Sequence, residues 1–102
     1  MADIHDPVIL PSDHSQMELY VRNNKVKLME QVIFSINYAL INNLPSIEVF
    51  KFQKSDFIVV LDRSTFDENI KNIYDFYIQN ELYELCDRVI GVQKLLNSHE
   101  KE

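Results

Sequence analysis

The chain has 102 residues, 46 % of them apolar and 25 % charged, a usage that excludes an intrinsically disordered protein. That length makes one domain, able to bury about two-thirds of its unfolded surface. The formal net charge is −6, with acids gathered in the first 13 residues and after Ile73, which excludes direct recognition of nucleic acid, because phosphate binding needs clustered Lys and Arg.

Residues 1–15 read as an irregular N-terminal arm. Pro7 and Pro11 bracket the apolar island Val8-Ile9-Leu10, and each proline holds its predecessor extended; the island is expected to pack on its own domain. The single folded domain spans residues 16–97, and residues 98–102 form a frayed tail. From about Ser15 or Gln16 to Asn42 the pattern is helical, with Val26, Met29, Ile33, Ile36 and Leu40 at three-four spacing. Val32, Phe34 and Ile41 widen that stripe, so this helix is covered on several sides. Asn23-Asn24 breaks off a shorter helix from His14 to Arg22. Asn42-Asn43-Leu44-Pro45 ends the long helix, since asparagine takes the left-handed cap and proline cannot continue a helix.

Residues 47–52 and 57–61 predict two antiparallel strands joined by the polar turn Gln53-Lys54-Ser55-Asp56. Strict alternation points Ile47 and Val49 to one face and Phe50 and Phe52 to the other. In the second strand Phe57, Val59 and Leu61 oppose Ile58 and Val60. Both faces of this ribbon are therefore apolar, and two strands alone are marginal in water. With no third strand evident, helices, a second copy of the chain or a partner must cover it.

Ser64 is the expected N-cap of the next helix, with Asp67 and Glu68 favouring its positive end. Phe66, Ile70, Ile73 and Tyr77 mark its apolar face, and Asp67 to Lys71 is a favourable pair one turn apart. Gln79-Asn80-Glu81 interrupts the pattern. Leu82, Leu85, Val89, Val92 and Leu96 then form a second stripe, with Glu84 to Arg88 as another pair. So short a connection folds the two helices into an antiparallel hairpin. Gly91, inside the last helix, is read as permitting a close helix crossing. The fold class is α+β and mainly α: a long helix, a two-stranded antiparallel β-hairpin, then a C-terminal antiparallel helical hairpin.

No catalytic motif is present. A single cysteine, Cys86, excludes an internal disulfide and sits among Leu82, Leu85 and Val89 as a small buried hydrophobe. Asp3, His5, Asp6, Asp13 and His14 are metal-ligand types, but an arm without packing gives them no rigid support, so a solvated tail is expected. Asp62 and Arg63, at a strand end beside a helix start, have the residue types to hold an anion; capping and pairing are the simpler roles. No cofactor or metal site and no enzymatic activity are expected. The N-terminal residues are acidic and lack the apolar run of a secretory signal, and no stretch reaches the length of a membrane span. An intracellular, cytoplasmic protein follows. Tyr74, Phe76, Tyr77 and Tyr83 cluster near the helical turn, and only Tyr77 fits the core stripe. Exposed aromatics serve as interface anchors.

The run Ile78-Gln79-Asn80-Glu81-Leu82-Tyr83-Glu84-Leu85-Cys86-Asp87-Arg88-Val89 resembles the UVR-type helical hairpin. Tyr83-Glu84 fits that motif's aromatic-Glu step. Leu85-Cys86 replaces its two small residues, and Asp87-Arg88 inverts its usual Arg-Asp order. The likeness covers the last third of the chain and implies protein–protein association. In size, acidity, scarcity of Gly and Ala and wealth of Ile, Asn, Lys, Phe and Tyr, the whole chain is similar to small accessory proteins of large tailed phages. That likeness implies a regulatory or anti-defence protein acting by binding in the host cytoplasm.

Three classes of function follow. The first is a non-enzymatic adaptor or inhibitor that binds another protein and self-associates as a homodimer, with Phe50, Phe52, Tyr74, Phe76, Tyr83, Glu84 and Arg88 as partner-binding residues. The second is an acidic mimic of nucleic acid that blocks a basic protein cleft. The third is a small ligand-binding protein or enzyme using Asp62 and Arg63.

Overall fold

The strands form one sheet, and the helices pack against one of its two faces. The computed structural model describes residues 6–100. In chain order come β1 (Val8–Leu10), α1 (His14–Asn23), α2 (Lys25–Ile41), β2 (Ser46–Phe52), β3 (Ile58–Asp62), a 3-10 turn (Arg63–Thr65), α3 (Phe66–Gln79) and α4 (Tyr83–Glu100). The class is α+β, as the sequence predicts. Residues 1–5 of the expected arm and residues 101–102 of the expected tail lie outside the described residues.

β2 is the central strand, parallel to β1 and antiparallel to β3. A parallel pair needs a long crossover, which α1 and α2 provide. This third strand corrects the expectation of a two-stranded ribbon. Within the proline-bracketed island, Val8 pairs with Phe50, Ile9 with Lys51 and Leu10 with Phe52. Three residues are too few to display an alternation, so the island carried no strand signal of its own.

A second correction concerns register. Ile47 pairs with Leu61 and Glu48 with Val60, but Phe50 pairs with Val59, so Val49 is an extra residue in a bulge. A one-residue slip moves all later side chains to the opposite face. Phe50 therefore joins Ile47 and Val49 on the helix-facing side and packs against the core, instead of facing away. Phe52 follows it, in register with buried Leu10. The outer face is left with Glu48, Lys51, Ile58 and Val60.

The core is one cluster beneath the sheet. α2 contributes Ile33, Ile36, Ala39 and Leu40, and β2 adds Ile47 and Val49. α3 contributes Phe66, Ile70, Ile73 and Tyr77, and α4 brings Cys86, Val89, Val92 and Leu96. These are the predicted stripes, and Cys86 is the buried free thiol expected.

Local chemistry sets the helix ends. The Asp13 carboxylate caps α1 by accepting from the Gln16 N–H at 3.2 Å. Asn24 separates α1 from α2, its backbone N–H and side-chain amide both donating to the Tyr20 carbonyl at 2.9 Å. α2 and α3 stop alike, with Asn43 at φ 54° and Glu81 at φ 58° in the left-handed region. The turned chain lets Leu44 N–H donate to the Ala39 carbonyl and Leu82 N–H to the Tyr77 carbonyl, each at 2.8 Å. Leu44 and Leu82 then pack on the core.

Three details differ from expectation. Ser64 is not the cap of α3; Thr65 holds that place, its hydroxyl donating to the Asp62 carbonyl at 2.7 Å. Glu84 and Arg88 form no ion pair among the described residues, whereas Lys71 and Asp67 meet at 2.8 Å. Gly91 permits no close crossing, because a Cβ there would meet nothing within 4 Å.

Candidate functional site

The bulge and the third strand together create a surface. On the outer face one row runs Ile9–Lys51–Ile58 across all three strands, and Glu48 lies beside Val60 in a neighbouring row. Helices fill the opposite side, so the apolar members stay in solvent: Ile9 is 60 % exposed, Val60 49 % and Ile58 41 %. Phe57, at the hairpin tip just before β3, is 77 % exposed. A soluble monomer seldom displays so many large apolar side chains along one sheet face.

The sequence-predicted partner residues divide between inside and outside. Phe50 and Phe52 turn inward through the bulge. Tyr74 and Phe76 are half-buried against the core, and Lys25 at the start of α2 lies 4.8 Å from the centre of the Phe76 ring. Phe76 also meets the Tyr77 ring at 6.2 Å between centroids. Tyr83, Glu84 and Arg88 remain exposed near the start of α4. The structure thus gathers no exposed aromatic cluster at the helical turn. Ile9 was missed as a surface residue because its strand was unrecognised.

Arg63 is held within the fold, while exposed Asp62 offers its backbone carbonyl to the Thr65 hydroxyl. The Arg63 backbone N–H donates to the Pro45 carbonyl at 2.9 Å, and Nη1 donates to Asn43 Oδ1 at 3.3 Å. Nη2 lies 3.5 Å from His99 Nδ1, near the C-terminal end of α4. Arg63 therefore ties the α2–β2 turn to α4. Between α3 and α4, Gln93 Nε2 donates to Asp67 Oδ1 at 3.1 Å. Lys71 first, then Gln93, hold the Asp67 carboxyl below its ordinary range by hydrogen bonding to the charged form.

A groove of about 380 Å³ lies between α2 and α4, lined by apolar Ile33, Phe34, Val89 and Val92 and by Glu30, Asn37 and Arg88. Tyr77 forms part of its wall, 1 % exposed, and its hydroxyl has no hydrogen-bond partner among the described residues. Burial, reinforced by the nearby Glu30 carboxylate and opposed by Arg88, pushes this phenol up to about 12.

Among the described residues, no three His, Cys, Asp or Glu side chains are grouped to hold a metal ion. Asp3 and His5 of the acidic arm lie outside the described residues. No helix among the described residues is long and apolar enough to cross a membrane. In comparisons with protein-family models, with curated proteins and with solved structures, nothing matches the chain.

Proposed function

We propose that the protein acts by binding other proteins, with the outer face of the sheet as its contact surface and a second copy of the chain as its first occupant. One observation carries this reading: Ile9, Ile58 and Val60 are exposed on one side of a three-stranded sheet whose other side packs on the helices. Covering such side chains stabilises by roughly 25 cal/mol for each Å² of apolar surface removed from water. Lys51 and Glu48 set among them give the face both signs of charge, which favours one docking orientation over others. The exposed Tyr83, Glu84 and Arg88 of α4 supply a second, more polar contact for a different protein.

Analytical ultracentrifugation at tens of micromolar tests the reading. The wild-type chain is expected to sediment as a dimer, and the double variant Ile58→Lys, Val60→Lys as a folded monomer. A wild-type monomer throughout that range contradicts it. So does a dimer unaffected by the two lysines.

A further inference from the structure

Tyr77 presents a problem that the sheet-face reading leaves unsolved. A buried hydroxyl without a partner is disfavoured relative to an apolar group of the same shape, and such orphans in native proteins call for an explanation. Phenylalanine would complete the α3 stripe with Phe66, Ile70 and Ile73 equally well. The hydroxyl sits within electrostatic reach of both Glu30 and Arg88. All three residues border the same groove between α2 and α4.

The groove has the character of a small-molecule site. Its volume, about 380 Å³, falls within the range of ligand clefts. Ile33, Phe34, Val89 and Val92 supply apolar walls, and the polar groups are few. Gly91 keeps the α4 side open, since nothing stands within 4 Å of where its Cβ would be. Any larger residue there would project toward that open space.

Charge decides the class of ligand. The polar rim holds one acid, Glu30, and one base, Arg88. An anionic head group would meet Glu30 unfavourably, and a cationic one would meet Arg88. A neutral head that both donates and accepts satisfies the pair, its carbonyl taking hydrogen bonds from Arg88 and the Tyr77 hydroxyl, its N–H donating to Glu30. The hydroxyl is sealed, so binding includes a shift of a side chain bordering the groove, such as exposed Arg88, that opens it to the head. We propose that the α2–α4 groove binds a small neutral amphiphile, an apolar body bearing an amide-type head, between Glu30 and Arg88 and against Tyr77.

Octanamide is a suitable probe, with octanoate and octylamine as charged controls. Titration into the full chain, followed by amide NMR, should give saturable shifts centred on residues 30–37 and 85–92. Gly91→Leu fills the open space without entering the core and should abolish those shifts while circular dichroism shows an intact fold. Tyr77→Phe should weaken octanamide binding about tenfold, the loss of one good hydrogen bond, without lowering thermal stability. The proposal is overturned if shifts fail to appear up to the solubility limit, or if they centre on Ile9, Ile58 and Val60. Unchanged binding by Gly91→Leu overturns it too, as does tighter binding of either charged control than of the amide.

Discussion

Tyr77 and Gly91 give the sharpest tests at single positions. The Tyr77 phenol rises from 10.0 to about 12 because burial disfavours its anion. The folded state therefore holds this proton more tightly than the unfolded chain does. Its effect on stability is nil below the unfolded value and turns unfavourable as pH climbs from 10.0 toward about 12. Denaturant melts in Tyr77→Phe should lack this alkaline decline. At neutral pH the same variant should be as stable as the parent or about 1 kcal/mol more so, since it deletes an unpaired polar group. A clear loss of stability at neutral pH would mean that the hydroxyl has a partner. Gly91 lies in the interior of α4, exposed and without neighbours for a Cβ. Gly91→Ala should raise stability by up to about 1 kcal/mol through backbone entropy and helix propensity. Chemical denaturation reads that change, and a decrease would show that the open space is occupied.

Single elements carry different tests. β1 is only three residues long, yet it covers one edge of β2 and buries Leu10. Leu10→Ala should cost about 2 to 5 kcal/mol if the strand is docked as described, and hydrogen exchange at residues 50–52 should quicken with it. A change below about 0.5 kcal/mol would mean that β1 contributes nothing to the fold. At the start of α3, Asp67 is held by Lys71 and by Gln93 of α4. Its folded-state value is lowered, so its contribution is present above the unfolded value and is lost as pH falls through the folded one. Asp67→Asn should flatten the acid limb of a pH–stability curve, whereas an unaltered limb would place the effect elsewhere.

The long elements were legible because each carries several apolar residues at a fixed period. Ile33, Ile36 and Leu40 in α2, Phe66 through Tyr77 in α3, and Val89, Val92 and Leu96 in α4 all fall where the spacing puts them. The Asn23-Asn24 break and the Asn42-Asn43 stop were equally readable, since asparagine caps through its own side chain and tolerates the left-handed turn. Val49 was not legible as a bulge. Sequence alternation assumes one residue opposite one residue, and only the partner strand reveals an insertion. That single residue moved Phe50 and Phe52 inward and left Ile58 and Val60 as the exposed pair. The surface itself was half visible: a ribbon apolar on both faces was predicted with Phe50 and Phe52 opposite Ile47 and Val49, whereas the bulge turns all four to one side. The Tyr77 groove had no sequence signal, because Glu30, Tyr77 and Arg88 come from three helices that only tertiary packing brings together.

For the whole molecule, one side of the sheet is closed by helices and the other is not, and the acidic balance of the chain does not alter that asymmetry. A face carrying Ile9, Ile58 and Val60 around Lys51 gains by being covered, whichever protein covers it. Self-association needs no partner beyond the chain itself, so it is the first consequence to look for. Methyl NMR recorded from a few micromolar to several hundred micromolar is the most direct measurement. The methyls of Ile9, Ile58 and Val60 should shift or broaden progressively with concentration, while those of buried Ile33 and Ile36 hold still. Outer-face signals that stay fixed across the whole range, with core and surface methyls alike indifferent to concentration, would contradict the account.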